Sequence, residues 1–397
     1  MGEPDRDEPL PSAELLFVAS HGAAIGKHSE RLQVHLHRTV VQEAPLFRLR
    51  QVIVAARGVT ISSDALFACA RRGIAVHFVT GWPAETVSLT MPVGNATVAT
   101  RRAQFQASEN GRGDALARRL VEGKLRTQAA ILKYLGKNRR ERDPAAHAAL
   151  QGAIADLERY AHAAPVIGAT PEALAAVAGS PAIPGGETAP PEEVSLGTET
   201  APPGEDDAGA PLAEAPQSPL AAVLRGLEGA GGRAYWSGVG TVLRAHGVAW
   251  DGREYRGTEN PFNASLNYGY GVLASVVHTA LLVAGLEPGA GFLHADRAGQ
   301  SSLVFDAMEE FRQAVVDRPL IGLATRKVAF ALDPGDGRLD DTTKRAVADA
   351  VIGRLDALEP YAGGRFPLRT IIGKQAERMA TYLRGVHAPY DPWVMRW

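Results

Sequence analysis

Residues 301–312 read SSLVFDAMEEFR, and this stretch carries both a helical pattern and a group of acidic side chains. The two serines are good N-cap residues, and apolar residues follow them at spacings of three and four. The pattern predicts a helix over 303–316 with an apolar stripe facing a core. Glu309 and Glu310 then lie three and four residues after Asp306 on that helix, so either of them can share a face with Asp306.

Two further candidate ligands lie upstream of this helix. His294 ends the apolar run at 291–293, where an imidazole either faces a cleft or caps a loop. Glu228 lies in an Ala/Gly/Leu-rich helical segment, where an exposed surface carboxylate is the alternative. Carboxylates combined with an imidazole suit Mg²⁺ or Mn²⁺. Such a cation stabilises the charge that develops when a phosphodiester bond is broken or formed.

The N-terminal part of the chain has the pattern of β-strands. Short apolar or alternating runs are bounded by turn residues, and they predict strands at 15–18, 32–36, 52–55, 59–61, 74–79 and 87–90. Ser62 or Ser63 is the expected N-cap of one internal helix. We therefore predict a β-rich domain over 14–97, preceded by a polar, disordered tail over 1–13.

Helical spacing begins after this domain, and residues 98–164 form the predicted basic start of a C-terminal domain. Residues 101–142 contain twelve Lys or Arg and four Asp or Glu, so the local charge is +8 (12 − 4). Such a face either binds the phosphates of DNA or is a solvated helix surface. The candidate DNA contacts are Arg118, Arg119, Lys124 and Arg126.

A second charge block lies between the helical segments. Residues 160–224 contain nine Asp or Glu and no Lys or Arg, and Pro, Ala and Gly are frequent. Such a composition buries too little apolar surface to offset the entropy of ordering. We predict a flexible acidic insertion over 165–217, either an inert spacer or a shield for the basic face. It also hides the basic segment within the whole-chain net charge of −2.

The remainder, residues 218–397, is predicted to be an α-helical catalytic domain. The predicted fold class is therefore α+β, a β-rich N-terminal domain followed by a larger all-α C-terminal domain. A long helix should begin at Pro261 and stop near Gly285. Asn263 and Asn267 lie one turn apart on it, where they either brace the site or cap neighbouring chain ends, and we expect structural bracing.

Composition excludes several other classes of protein. Cys69 is the single cysteine and lies in an apolar run, so an internal disulfide is excluded and a buried, unreactive thiol is expected. The apolar runs fall short of the roughly 20 residues of a membrane span. No phosphate-binding loop of the Gly-x-x-x-x-Gly-Lys type occurs. We expect a cytoplasmic protein that makes no membrane contact.

Four stretches of the C-terminal half resemble the CRISPR-associated integrase family, the larger core protein of the spacer-acquisition module (Cas one). NASLNYGY at 263–270 resembles its Asn-rich helix. AGLEP at 284–288 and GFLH at 291–294 resemble its Gly-Leu-x-Pro and Gly-Phe-Leu-His elements. Residues 302–312 resemble its Ser-Leu-x-x-Asp-Leu-Met-Glu-Glu-Phe-Arg signature, with Ala307 in place of Leu.

The N-terminal half is similar to the same family. GVTIS at 58–62 and GIAVHF at 73–78 fit its pattern. The resemblance covers nearly the whole chain apart from the acidic insertion, which is unusual for the family.

The resemblance implies a function and a set of site residues. Glu228, His294 and Asp306 would be the catalytic and metal-binding residues, with Glu309 as a further acidic ligand. The implied reaction is transesterification, in which a DNA 3′-hydroxyl attacks a phosphodiester at the CRISPR repeat and inserts spacer DNA. Water in place of the hydroxyl makes the same site an endonuclease. The cofactor would be Mg²⁺ or Mn²⁺.

The resemblance also implies partners. These are double-stranded DNA (prespacer and CRISPR repeat), a second copy of the chain in a homodimer, and a small bridging adaptation protein (Cas two). The alternative is a non-catalytic DNA-binding scaffold of the same complex, whose buried acids are structural. The two hypotheses differ in whether Glu228, His294 and Asp306 meet within reach of one metal ion.

Overall fold

The structure is a computed structural model that describes residues 15–79, 86–89, 96–137, 139–141, 143–167, 218–254, 258–296, 300–335, 337–386 and 389–396. The chain divides into two compact units, Met1–Val93 and Gly94–Trp397. The predicted tail at 1–13 lies outside the described residues. So does the predicted insertion, apart from its first three residues at 165–167.

The first unit consists of two four-stranded sheets and one helix. Its strands are β1 (Leu15–Val18), β2 (Ala24–His28), β3 (Arg31–Leu36), β4 (Thr39–Pro45), β5 (Gln51–Val54), β6 (Thr60–Ile61), β7 (Ala75–Val79) and β8 (Thr86–Leu89), and its helix is α1 (Ser63–Arg71). One sheet has the order β1-β5-β7-β8, with β8 antiparallel to β7 and the other pairs parallel. The other has the order β4-β3-β2-β6, antiparallel except for the β2–β6 pair.

Apolar side chains from both sheets and α1 fill the core of this unit. Ser62 caps α1 by accepting a hydrogen bond from the backbone N–H of Ala65. Cys69 is buried, as its apolar surroundings predict. The predicted strands are present, but β2 and β4 were not predicted. Most of β4 is exposed, including Val40 and Val41, so it lacks the apolar alternation that marks a half-buried strand.

The second unit is mainly helical. Its helices are α2 (Ala96–Ala107), α3 (Arg112–Gly136), α4 (Pro144–Ala163), α5 (Pro219–Ala245), α6 (Pro261–Val283), α7 (Ser302–Met308), α8 (Arg318–Thr325), α9 (Asp341–Asp356) and α10 (Leu368–Leu383). The prediction of a β-rich region followed by a helical one is confirmed. The second unit is not all-α, because an antiparallel hairpin of β9 (Leu358–Tyr361) and β10 (Gly364–Pro367) precedes α10.

The helix predicted over 303–316 is interrupted. Helix α7 ends at Met308, a turn follows, and Gln313–Asp317 forms a π-helical turn that leads into α8. All residues from 309 to 317 are buried. One regular helix presents one stripe to a core and exposes the rest. The change in helical winding lets successive side chains reach partners on different sides. Single π-helical turns of this kind are frequent at functional sites.

Helix α6 runs through the interior of the second unit. It ends before Gly285, which adopts the left-handed conformation, as predicted. Its 23 residues make it long and apolar enough to span a membrane, so the expectation that no segment reaches that length was wrong. Of its most apolar window 72% is buried inside the fold, as in the core helix of a globular domain.

The two asparagines of α6 brace neighbouring chain, as expected. Arg253 donates hydrogen bonds to the side-chain oxygens of Asn263 (3.1 Å) and Asn267 (2.5 Å). The backbone N–H of Glu254 also donates to Asn263, and the Asn263 amide donates to the carbonyl of Gly252. These bonds fix residues 252–254 against α6.

Candidate active site

Close packing of α3 against α5 brings the first two site residues together. A Cβ atom on Gly231 of α5 would lie 2.1 Å from Leu125 Cδ2 of α3, so any larger residue there would force the leucine or the helices to shift. Lys124 precedes Leu125, and Glu228 lies three residues before Gly231. As a result, the Lys124 ammonium forms an ion pair and a hydrogen bond with the Glu228 carboxylate.

The same lysine contacts a second carboxylate. Glu309 follows α7, its side chain is 1% exposed, and its Oε2 lies 2.6 Å from Lys124 Nζ. Its other oxygen lies 3.3 Å from Arg312 Nε. Burial alone would lower the pKa of the Lys124 ammonium, but Glu228 and Glu309 outweigh burial and raise this pKa well above its ordinary value. Lys124 is therefore a charged group that joins two carboxylates from different elements.

Asp306 and His294 form a second pair. Asp306 Oδ1 accepts hydrogen bonds from the backbone N–H of His294 (3.0 Å) and lies 2.7 Å from His294 Nδ1. Asp306 Oδ2 accepts from the backbone N–H groups of Phe292 (2.6 Å) and Leu293 (2.9 Å). A carboxylate accepts on both oxygens, so Asp306 holds a whole loop in place while orienting the ring.

This loop approaches α7 closely because residue 291 is glycine. A Cβ there would lie 2.8 Å from Ser302 Cβ and 3.1 Å from Asp306 Oδ2. The loop is also tied to α5, since Arg225 donates a hydrogen bond of 2.9 Å to the carbonyl of Leu293. Arg225 lies one turn before Glu228 on the same helix. Helix α5 therefore contacts both groups of site residues. Its Glu228 belongs to the group around Lys124, and its Arg225 holds the loop of His294.

The predicted ligands do not form one metal-binding cluster in this arrangement. Within the described residues, no group of three or more His, Cys, Asp or Glu side chains is close enough to hold a metal ion. The predicted convergence of Glu228, His294 and Asp306 is thus replaced by two pairs. Lys124 lies between Glu228 and Glu309, and both Asp306 oxygens are used by the loop at 292–294.

The donor chemistry nevertheless fits a hard divalent cation. Glu228 and Glu309 already direct oxygens at one common cation, the Lys124 ammonium. His294 uses Nδ1 on Asp306, which is the arrangement that orients a metal-binding histidine through its other nitrogen. The ligands that the resemblance implies would be Glu228, His294 and Asp306, with Glu309 as a further acid, and Asp306 also orients the histidine.

The four predicted DNA contacts have partners within the chain. Arg118 donates to the carbonyl of Ile167 and Arg119 to that of Tyr390, and Arg119 also pairs with Asp391. Arg126 pairs with Glu122 but stays 54% exposed. Lys124 is buried and faces Glu228 and Glu309 rather than an outer surface.

A basic cavity opens beside Lys124 and Glu228. It has a volume of about 440 Å³, and Lys124 and Glu228 are among its lining residues. Its other cationic and aromatic lining residues are Arg233, Arg244, Arg253, Arg312, Trp236, Trp250 and Tyr270. Arg253 lies over the rings of both Trp236 and Tyr270, with 5.9 and 5.4 Å between the guanidinium carbon and the ring centres. Guanidinium groups and aromatic rings are suited to bind the phosphates and bases of a single nucleic-acid strand.

Sequence reasoning did not identify these cavity residues. Arg233 and Trp236 follow Glu228 by five and eight residues on the same helix. Helical spacing could have placed Trp236, about two turns on, towards the side of Glu228, but not Arg233. Arg253 could not have been placed, because it lies outside a helix and its position depends on Asn263 and Asn267.

Comparison with known proteins shows the family. A sequence model of the family described as CRISPR associated protein Cas1 matches residues 16–181 and 207–352. The chain belongs to this family. A Pyrobaculum aerophilum protein named CRISPR-associated endonuclease Cas1 2 is 31% identical over 369 residues, which cover 93% of this chain and 98% of that protein.

Two solved structures share the fold. One is described as a casposase bound to integration product, with a TM-score of 0.67, 18% identity, and coverage of 95% of this chain and 92% of that one. The other is described as a Cas6-RT-Cas1–Cas2 complex, with a TM-score of 0.67 and 18% identity. That match covers 97% of this chain and 36% of the longer chain.

Proposed function

We propose that this chain is a divalent-metal-dependent DNA endonuclease and integrase that inserts spacer DNA into a CRISPR array by transesterification at the repeat. The observation that carries the proposal is the site beside α5. There, Glu228 and Glu309 meet at one cation, and the loop of His294, which pairs with Asp306, is tied to the same helix by Arg225. Its relative from Pyrobaculum aerophilum is named an endonuclease, which supports the same chemistry.

Each site residue has a stated role in the proposal. Glu228, His294 and Asp306 hold Mg²⁺ or Mn²⁺, with Glu309 as a further acidic ligand, and Asp306 also orients His294 through Nδ1. A bound cation of this kind stabilises charge on the phosphate and lowers the pKa of an attacking hydroxyl or water. The basic cavity binds the phosphates of the DNA strand that reaches the site.

The proposed partners follow from the family and from the structural relatives. Double-stranded DNA, as prespacer and CRISPR repeat, is the substrate. The casposase relative is described with an integration product, and the other relative as a complex that contains Cas2. We include a homodimer, a small bridging Cas2 protein and a cytoplasmic location in the proposal.

Substitution of one carboxylate tests the proposal. Glu228→Gln removes a ligand charge but keeps the shape of the side chain, so Mn²⁺-dependent cleavage of duplex DNA should fall at least about 100-fold. Joining of a 3′-hydroxyl oligonucleotide to repeat-bearing plasmid should fall equally, while DNA affinity changes little. The matched control is Glu158→Gln, which changes an exposed carboxylate of α4 that pairs with Lys133 of α3. Full activity in Glu228→Gln would favour the non-catalytic scaffold instead.

A further inference from the structure

Lys124 occupies an unusual position for a lysine. Its side chain is 9% exposed, and its ammonium contacts Glu228, at 18% exposure, and Glu309, at 1%. These two carboxylates come from segments that are distant in the sequence. Long, flexible lysine side chains are normally solvated, and they are seldom buried without a charged partner.

The physical need for this lysine follows from the two carboxylates. Two carboxylates that face one position repel each other, and the buried Glu309 also loses hydration. A cation between them removes both penalties. Arg312 Nε lies 3.3 Å from Glu309 Oε1, so Glu309 also meets a second cation.

A divalent ion held by Glu228 and Glu309 would need the oxygens that Lys124 now contacts. We propose that Lys124 is the internal counter-cation of this site: it holds Glu228 and Glu309 together before metal binds, and it competes with the metal for them. This inference rests on the proposed function, because it assigns a role to Lys124 toward the proposed metal. Lys124 is thus a positioning residue that limits metal affinity.

The flexible stem of Lys124 gives the displaced ammonium somewhere to go. Lys124 also lines the basic cavity, so it can turn from the carboxylates toward the cavity without leaving the site. A DNA phosphate bound there would offer the ammonium another anion. Metal and DNA would then each favour binding of the other, because coupling between two ligands is reciprocal.

Removal of the lysine charge separates this role from a structural one. A lysine that merely supports the fold predicts weaker metal binding when it is replaced. Competition predicts the opposite, since Lys124→Met removes the ammonium that occupies the oxygens the metal would take. Titration calorimetry of the full-length protein with Mn²⁺ alone should show about tenfold tighter binding in Lys124→Met than in the wild type, within the usual range of coupling between ligands.

Thermal unfolding provides a second readout. Without metal, Lys124→Met should unfold at a lower temperature than the wild type. Saturating Mn²⁺ should then raise the melting temperature of Lys124→Met by more than that of the wild type. Lys133→Met is the matched control, because Lys133 lies on the same helix and pairs with the exposed Glu158. Its Mn²⁺ affinity should stay within about twofold of the wild type. If Lys124→Met does not fold without metal, Lys124→Gln purified with Mn²⁺ gives the same comparison.

The outcomes separate this inference from the proposed function. Equal or weaker Mn²⁺ binding in both Lys124 variants, with metal-dependent cleavage by the wild type, overturns the competition and leaves the proposed function intact. Absence of Mn²⁺ binding in the wild type and in both variants overturns both. Tighter binding in the Lys124 variants, with Lys133→Met unchanged, supports the competition.

Discussion

The two units of this protein have very different interiors. In the described residues of the first unit, the buried polar side chains are Gln51 and His77, and no charged side chain is buried. The described part of the second unit buries eight charged side chains: Glu122, Lys124, Asp306, Glu309, Glu310, Arg312, Asp317 and Glu359. Five of these eight lie between residues 306 and 317.

This difference separates what stabilises a fold from what a site requires. Apolar burial stabilises folding, whereas a buried charge must recover its lost hydration from partners. A core of apolar side chains is therefore the simplest way to build a scaffold, as in the first unit. The buried charges at 306–317 destabilise the folded state unless each has a partner. Buried ionisable groups of this kind cluster at functional sites.

The neighbouring pair Glu309 and Glu310 gives the largest expected effect. Glu309 faces Lys124, whereas Glu310 accepts hydrogen bonds from Tyr390, Gln375 and the backbone N–H of Trp393. Glu309→Gln should lower Mn²⁺-dependent cleavage at least about 100-fold, because it removes a proposed metal ligand. Kinetics under saturating Mn²⁺ would measure the loss.

Glu310→Gln is the comparison for that variant. Its amide cannot accept all three hydrogen bonds, so docking of the segment 389–396 should weaken by about 1–3 kcal/mol. Hydrogen exchange at Trp393, whose ring stacks on Phe311, would report this loosening. Cleavage should persist in Glu310→Gln. Equal loss of cleavage in both variants would show that the two neighbouring acids have no separate roles.

How far the sequence predicted these two interiors depends on the kind of interaction. Strand patterns and Ser62 predicted most of the first unit, because local alternation and capping reflect which face is buried. The pairing of His294 with Asp306 was in reach, since both lie in one short stretch of sequence. The contact of Lys124 with Glu228 and Glu309 was not, because helix packing across Gly231 creates it.

The same limit explains the helix that was wrongly predicted as continuous. Apolar spacing over 303–316 is compatible with one regular helix, and the sequence shows no proline or glycine there to break it. Burial of Glu309, Glu310 and Arg312 in different directions changes the winding instead. Tertiary partners of charged side chains therefore decided the backbone, and no local pattern encodes them.

Loss of apolar volume in the first unit should affect stability without affecting the site. Leu32 is fully buried in β3, so Leu32→Ala should destabilise the first unit by about 2–5 kcal/mol. The control Val41→Ala, at a 49% exposed position in β4, should change stability by less than about 1 kcal/mol. Denaturant unfolding, followed by hydrogen exchange, would show whether the loss of stability is confined to the first unit. A change in Mn²⁺ affinity caused by Leu32→Ala would contradict the separation of the two interiors.

A smaller effect concerns another buried acid in the second unit. Asp317 is fully buried and accepts a hydrogen bond of 2.5 Å from Tyr270 Oη. Burial raises its pKa from 3.8 to about 6, and hydrogen bonds from Tyr270 and Tyr235 and the charges of Arg253 and Arg312 offset this only in part.

The sign of the resulting pH dependence follows from this raised pKa. Folding favours the protonated form of Asp317, so its contribution to stability is complete below pH 3.8 and is lost as pH rises through about 6. A shift of about two pKa units corresponds to about 3 kcal/mol. Asp317→Asn cannot titrate, so its stability relative to the wild type should rise by up to that amount between pH 4 and pH 7. Urea unfolding of both proteins at each pH measures the difference, and a constant difference would mean that Asp317 stays ionised even though it is buried.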